Sequence, residues 1–543
     1  MKRFVAPVLL VALVATLLIQ LPLAIADRTS IYEWFDPIVD VRTLLVERYV
    51  EPIDEETEMP RAMIDAMLET LDDPYTQYIP PANLREFNKQ LRGTYAGIGA
   101  EVNQADGYLV IVSPMDDSPA LRAGVMAGDV VLEIEGESTF DQPLTDSVEK
   151  LTGEAGTPVS IRVRHLDDTE ESLTIVRDHI VTRTVKGLRR FGEGWSYCID
   201  PNLGLSYIRV TQFNEATVEE LRDALRTRQT EGGLNGLILD LRDNPGGGLP
   251  TAVDMANLFL SEGTIVSVRP RVGREAVYTA RPASTLPDFP MIVMVNGASA
   301  SASEIIAGSL QDNGRAIVLG TRTYGKGSVQ EVRALPYNRG TLKLTTAHYY
   351  LPSGRNINRK KGEATWGVDP TPGFVVPVSD EDYLASFRAR REFEIIRAPA
   401  DDFEPCVDGP WIREHLLDEP LARAVTALRA RAEGGDWPDV GEADAGVIAM
   451  EIELERAFDR RTRLIEELHR TEATIDELQA VAGEEDDPLL PPELDLTDGT
   501  ITLHDRDGKQ IGVYRIDAGD VSLALGGMRL APVPASEPET AQP

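Results

Sequence analysis

Gly236-Leu237-Ile238-Leu239-Asp240-Leu241-Arg242-Asp243-Asn244-Pro245-Gly246-Gly247-Gly248 reads as a short buried strand that breaks into a glycine turn and then enters a helix. Apolar runs of this length, bounded by Gly and Pro, belong to strands inside a covered sheet. Working outward, the same rhythm continues on both sides. Leu205 to Val210, Met291 to Val295, Ile317 to Leu319 and Thr341 to Ala347 read as strands. Val218 to Arg228, Ala252 to Leu260 and Ser303 to Gln311 read as helices. Alternating strands and helices predict a layered α/β core over residues 183–380. The glycine turn offers backbone N–H groups to an anion. It lacks the Lys-Ser/Thr of a nucleotide loop, so it is not read as a phosphate site.

The segments around this core differ in kind. Residues 27–90 carry apolar positions at helix spacing, Ile38, Val41, Leu44, Leu45 and Tyr49, then Met63, Ile64, Met67 and Leu68. Residues 91–182 form a β-rich module in which Val159-Ser160-Ile161-Arg162-Val163-Arg164 alternates as a half-buried strand. Residues 381–435 end the core with a helix from Leu421 to Glu433. A C-terminal extension, 436–531, reads as a helix from about 444 to 480 followed by short strands. Its apolar seam is broken by Arg461 and Glu472, which favours packing within its own domain over a coiled coil. The tail 532–543 is rich in Pro and Glu and reads as disordered.

The whole chain is α/β and multidomain. Its 543 residues are too many for one core. A net charge of −35 argues against nucleic acid or anionic lipid surface as the main partner, since both repel it. Met1-Lys2-Arg3 is followed by an apolar run from Phe4 to Ala26 that ends in Ala24-Ile25-Ala26. That is the pattern of a signal peptide, and the run is also long enough to serve as a membrane tether if uncleaved. Export is expected, to a periplasmic or other extracytoplasmic location. The two cysteines, Cys198 and Cys406, could pair in an oxidising compartment, and two unrelated thiols are at least as well supported.

Three stretches carry candidate chemistry. Asn296-Gly297-Ala298-Ser299-Ala300-Ser301-Ala302-Ser303-Glu304 joins a buried strand to a helix. A hydroxyl there meets the positive end of the helix dipole, which favours developing negative charge. The same residues also fit a capping box, Ser301 with Glu304. Arg322-Thr323-Tyr324-Gly325-Lys326-Gly327-Ser328-Val329-Gln330 sets a lysine between glycines, where another backbone can approach. Such a lysine serves as a base when burial lowers its pKa, and otherwise is a loop lysine in water. None of the six histidines lies beside a candidate nucleophile, and no His-x-x-x-His pair exists. A zinc peptidase is therefore disfavoured, and no metal or other cofactor is expected.

With these residues in view, the chain resembles the C-terminal processing peptidases, also called tail-specific proteases, over roughly residues 30–430. The likeness rests on motifs in the right order: Leu71-Asp72-Asp73-Pro74-Tyr75, Gly93-Thr94-Tyr95-Ala96-Gly97-Ile98-Gly99, Ser118-Pro119-Ala120 and Gly128-Asp129. The glycine turn after Asp240, Ser299 to Glu304, Gly325 to Gln330 and Tyr350-Leu351-Pro352-Ser353-Gly354-Arg355 complete the series. The resemblance implies a PDZ domain at 91–182 before a Ser–Lys peptidase core. It implies Ser301 as nucleophile, Lys326 as general base and Gln330 as the residue that orients the amine. It implies an oxyanion hole from the N–H of Ala302 with that of Gly246 or Gly247. Gly97, Ile98, Gly99 and Ala100 would form the loop that takes the carboxylate of a substrate tail, with protein or peptide chains ending in small or apolar residues as partners. Where the family often carries Ile-Arg-Gly, this chain has Leu151-Thr152-Gly153, so no Arg-based switch is expected. Oligomerisation is compatible with all of this. The competing readings are a catalytically silent PDZ scaffold and an exported chaperone built on the same architecture.

Overall fold

The computed structural model describes residues 33–450 apart from 55, 85–86, 88–93, 192–193, 232, 361–362, 397–406, 445 and 447, together with scattered helical residues between 454 and 474 and the strands 500–504 and 510–515. The expected signal segment, Gly93, Cys406 and the C-terminal tail lie outside the described residues. The chain divides into two compact units, one ending at Glu453 and one starting at Leu454.

Two helices open the first unit, α1 (Asp36–Arg48) and α2 (Glu58–Glu69), and neither buries a residue. A short strand, β1 (Gln77–Ile79), follows. The apolar spacing of residues 27–90 predicts helix throughout, and the strand departs from it. The strand escapes such a reading because its apolar pattern is three residues long and its partner lies far along the chain.

The β-rich module comes next. Its sheet runs β2 (Ala100–Ala105), β3 (Tyr108–Pro114), β4 (Val130–Ile134), β5 (Pro158–Arg164) and β6 (Glu170–Val176), with β2 at one edge. Helix α3 (Leu144–Leu151) packs near that edge. Ile98, Leu109, Ile111, Val131, Ile134, Leu151, Val159, Ile161, Val163 and Ile175 form its own core. In β5, Val159, Ile161 and Val163 are buried while Ser160 is exposed, so the period-two alternation is the burial pattern itself.

The α/β core is a mostly parallel sheet. Strands β7 (Leu205–Val210) and β8 (Gly236–Asp240) pair parallel, with α4 (Thr217–Glu231) between them in the chain. Helix α5 (Leu249–Ala256) and β9 (Thr264–Pro270) precede β10 (Met291–Val295), which pairs parallel with β8. Helix α6 (Ala302–Asp312) leads to β11 (Ile317–Gly320), parallel to β10. Both faces of this sheet are covered. Leu237, Leu239, Met291, Val293 and Val295 face α4, α5 and α6, whereas Ile238, Ile292, Met294 and Leu319 face the opposite layer. Such double coverage is what turns β8 and β10 into continuous apolar runs. Helix α5 starts and ends earlier than the expected Ala252–Leu260, because Gly248 caps it and Pro250 is tolerated in its first turn, where an N–H has no partner anyway.

A second sheet holds β12 (Ser328–Ala334) and β13 (Thr341–Tyr350), with β13 also pairing β9 and β1. Helix α7 (Asp380–Glu394) is tied to the parallel sheet by Glu394, which pairs with Lys186 and Arg209, and α8 (Glu419–Ala432) covers the far face of that sheet with Leu421, Ala424, Val425 and Leu428. The β-rich module is tied to the core by ion pairs Arg190–Asp116, Arg183–Asp117 and Arg391–Glu101, and by the Ile396 N–H donating to Ser113 Oγ at 3.1 Å. Buried Cys198 is disulfide-bonded, and the chain's other cysteine is Cys406.

In the second unit the described residues between 454 and 474 are helical, and β14 (Thr500–His504) pairs antiparallel with β15 (Gln510–Arg515).

Candidate active site

The glycine turn after β8 and the serine turn after β10 leave adjacent parallel strands at the same end of the sheet. In α/β folds that is where clefts form, since neighbouring loops diverge there. Their backbones are stitched together. Ala300 N–H and Ser303 Oγ both donate to the Asn244 carbonyl, at 3.0 and 2.9 Å. Ser299 Oγ donates to the Leu241 carbonyl at 2.8 Å. Gly246 explains the glycine: a Cβ there would lie 2.6 Å from the Ala300 carbonyl oxygen, 2.8 Å from Ser301 Cβ and 2.9 Å from the Ala302 nitrogen. The turn that carries Gly246 therefore presses directly on Ser301.

Ser301 is held at φ 55° and ψ −111° just ahead of α6. For a residue with a Cβ this is a strained backbone, kept only where the surroundings enforce it. Its side chain is mostly buried, and the nearby Tyr349 hydroxyl is pushed up to about 12 by burial. Gly246 N–H donates to Asn244 Oδ1 at 2.8 Å. Gly247, exposed beside it, has no intramolecular acceptor for its N–H among the described residues. Gly248 N–H donates to the Phe213 carbonyl at 3.0 Å, so among the described residues Gly247 alone of the turn's three glycines keeps a free donor.

Glu304 joins this turn to the lysine loop. The sequence presents it as the partner of Ser301 in a capping box, and its Oε2 does accept the Ser301 N–H at 2.8 Å. The same oxygen accepts the Lys326 N–H at 2.8 Å, and Oε1 accepts Thr323 Oγ1 at 2.6 Å and the Gly325 N–H at 2.7 Å. The backbone nitrogens of Ser301 and Lys326 thus lie within two hydrogen-bond lengths of each other. Burial raises the Glu304 carboxyl above its ordinary range, and the four donors oppose that shift.

Lys326 is half-buried. Burial pushes its amine below the usual value, Lys343 pushes the same way, and Glu304 and Asp73 push it back up. Its Nζ lies 4.8 Å from the centre of the Tyr75 ring and is not hydrogen-bonded to Ser301 Oγ. Gln330 donates through Nε2 to Ser328 Oγ at 2.8 Å and Thr345 Oγ1 at 3.2 Å, so its amide nitrogen points into β13. A cavity of about 520 Å³ opens beside the lysine, between Asp73, Tyr75, Tyr324, Thr345 and His348. Tyr75, Asp73 and Tyr349 were not singled out as site residues by the sequence. Tyr75 belongs to a motif noted there, but only strand β1, pairing with β13, brings it over the lysine.

In the β-rich module, a second cavity of about 200 Å³ lies between β2 and α3, lined by Ile98, Gly99, Ala100, Val102, Val148, Leu151 and Thr152. The Ile98 carbonyl accepts from Ala120 N–H and the Gly99 carbonyl from Met115 N–H. Among the described residues, no intramolecular acceptor faces the N–H of Ile98 or Gly99. Gly99 sits at φ +74°, where a Cβ would meet Ser118 at 2.5 Å. Two free N–H groups, an unpaired strand edge and an apolar pocket occur together, and Gly97 leads into them from a short strand paired with Asp178.

A model of peptidase family S41 matches residues 204–372, and a PDZ domain model matches residues 110–165. A carboxy-terminal-processing protease of Bartonella bacilliformis is 36% identical over 355 residues, covering 64% of this chain and 76% of that protein. Carboxy-terminal processing protease CtpB of Bacillus subtilis is 33% identical over 357 residues, covering 65% of this chain and 69% of its own length. Among solved structures, a photosystem II D1 C-terminal processing protease is 28% identical, with a TM-score of 0.35, covering 61% of this chain and 85% of that one. The chain belongs to peptidase family S41, as a serine-type carboxy-terminal processing protease whose PDZ domain precedes its catalytic core.

Proposed function

We propose that this protein is an exported endopeptidase in which Ser301 attacks the scissile carbonyl and Lys326 takes the serine proton. The observation that carries the reading is the buried Glu304 carboxylate, which binds the N–H of both residues and so fixes the two loops against each other. The neutral amine of Lys326, once its Nζ turns from the Tyr75 ring to Ser301 Oγ, accepts the hydroxyl proton as the carbon–oxygen bond forms. The resulting ammonium then gives that proton to the leaving amine. The N–H groups of Ala302 and Gly247 receive the oxyanion, and the dipole of α6 adds to them. Gln330 supports the lysine through Ser328 and Thr345, the residues its amide bonds. Water then releases the acyl group with the lysine again as base.

Substrate tails add to β2 as a strand, with the terminal carboxylate on the free N–H groups of Ile98 and Gly99, beside Gly97 and Ala100. The last side chain enters the pocket lined by Val102, Val148 and Leu151. Its volume of about 200 Å³ suits a small or medium apolar residue. The test is a tail peptide in free-acid and amide forms. Binding to the PDZ domain is expected to weaken at least about tenfold on amidation, since a charge-assisted contact is lost. Equal binding of both forms would contradict the carboxylate loop.

The pH profile tests the base. Activity requires unprotonated Lys326, so kcat/KM rises with pH along a limb centred below the ordinary lysine value of 10.5. Lys343 destabilises the Lys326 ammonium. Lys343→Ala therefore raises the Lys326 pKa and moves the limb to higher pH. A limb that stays in place, or moves down, removes Lys326 as the titrating group.

Export is supported by the basic start and apolar run ahead of Asp27, and by the disulfide at Cys198, since disulfides persist in oxidising compartments. Protein recovered from the cell envelope is expected to begin at Asp27, or at Met1 with membrane association if the segment is a tether. Recovery in the cytoplasm would contradict export.

A further inference from the structure

We propose that Tyr383 and Arg390 of α7 are positioning residues for the oxyanion turn, acting through Asp243. This rests on the reading of the site given above and adds to it two residues from a helix remote in the chain.

Asp243 is the pivot. It stands at φ +61° between β8 and Gly247, in the left-handed region that Asp enters more readily than most residues. Four bonds hold it. Its N–H donates to Asn296 Oδ1 at 3.0 Å, and Asn296 Nδ2 donates back to its Oδ1 at 2.7 Å. The Tyr383 hydroxyl donates to Oδ1 at 2.9 Å, and Arg390 donates to Oδ2 at 3.2 Å. Asn296 opens the serine motif, so one carboxylate ties the glycine turn, the serine turn and α7 together. Arg390 is buried, and Tyr383 is half-buried with its hydroxyl pushed up by burial and by Asp243.

The neighbouring residues transmit this hold. Asn244 follows at once, and it donates through Nδ2 to the Val210 carbonyl at 2.7 Å while accepting Gly246 N–H on Oδ1. Gly246 in turn abuts Ser301 and the Ala302 nitrogen. A shift of Asp243 therefore moves Gly247 N–H relative to Ala302 N–H, the two groups that must converge on one oxygen. Positional errors of this kind cost rate without costing substrate affinity, because the oxyanion exists only in the transition state. The adjacent Arg242 is not part of this device. It pairs with buried Asp240 and with Asp418 at the start of α8, which anchors the end of β8 to the opposite layer.

The experiment compares Tyr383→Phe and Arg390→Met with the full-length protein on a short peptide. The first variant removes one hydroxyl and keeps the ring. Expected are losses in kcat of about tenfold for Tyr383→Phe and about a hundredfold for Arg390→Met, with KM changed less than about twofold. A peptide aldehyde, whose adduct with Ser301 places an oxyanion at this spot, should lose affinity by the same factors as kcat/KM. The unreactive peptide alcohol should bind each variant as it binds the parent. If both variants keep kcat, or if aldehyde and alcohol weaken together in step with thermal stability, the residues are merely structural and the proposal fails. Ser301→Ala separates the two levels of failure. If it still turns over peptide, the site reading falls and this inference with it; if it is inert while the α7 variants keep kcat, only the role of α7 falls.

Discussion

Replacing Lys326 by Ala is expected to lower kcat on a tail-bearing substrate by at least about 10⁴-fold, and Ser301→Ala by at least as much, since members of a nucleophile–base pair act as one unit. The double variant should be no worse than either single one, because the second change removes a group that is already idle. Both proteins should remain folded. Lys326 is only half-buried, and its loop is held by its own backbone through Glu304 rather than by its amine. Ser301→Ala keeps the N–H that Glu304 binds. Cleavage by Lys326→Ala at more than a few per cent of the parent rate would remove it as the base. Near-ultraviolet circular dichroism checks that the fold is retained.

Glu304→Ala is expected to be the most damaging single change to the site, because it acts on both catalytic loops at once. It orphans four donors: the N–H groups of Ser301, Gly325 and Lys326, and the Thr323 hydroxyl. Each buried donor left without a partner costs roughly 1–3 kcal/mol, so the total is a large fraction of a domain's net stability. Thermal unfolding should show a large drop in Tm together with complete loss of cleavage. Glu304→Gln distinguishes the carboxylate from its shape. Its amide oxygen still accepts two of the four bonds while its NH2 now faces donors. An intermediate Tm with activity down at least about a hundredfold is the expected result. If Glu304→Ala keeps both Tm and rate, the loops do not depend on this residue.

The fold was largely legible because the core sheet is covered on both faces. Double coverage makes Leu237 to Leu239 and Met291 to Val295 unbroken apolar runs, and such runs stand out in a sequence. Ser301 and Lys326 stood out as candidates for another reason: each sits in a run of small residues, where another chain can come close. What the sequence hid is what long-range pairing creates. Strand β1 is three residues long and exists because β13 receives it, and only that pairing brings Tyr75 over Lys326. Glu304 advertised a helix cap, which it is, but nothing local reveals that Thr323, Gly325 and Lys326 would also converge on it. Tyr383 and Arg390 lie in a helix that the sequence analysis does not single out, and their target, Asp243, is 140 residues from Tyr383. Helix α5 begins three residues ahead of the expected Ala252, because Gly248 caps it and Pro250 is accommodated in its first turn.

The central claim is that Ser301 carries the acyl group during turnover. An activated peptide ester mixed with the enzyme and quenched in acid should trap this species, because its good leaving group lets acylation outrun attack by water on the acyl group, and acid then protonates the base that both steps need. Mass spectrometry of the quenched protein is expected to show one added acyl group, on the peptide that contains Ser301, and none in Ser301→Ala. Turnover by Ser301→Ala, or an acyl group found on another residue that disappears as product forms, would contradict the account.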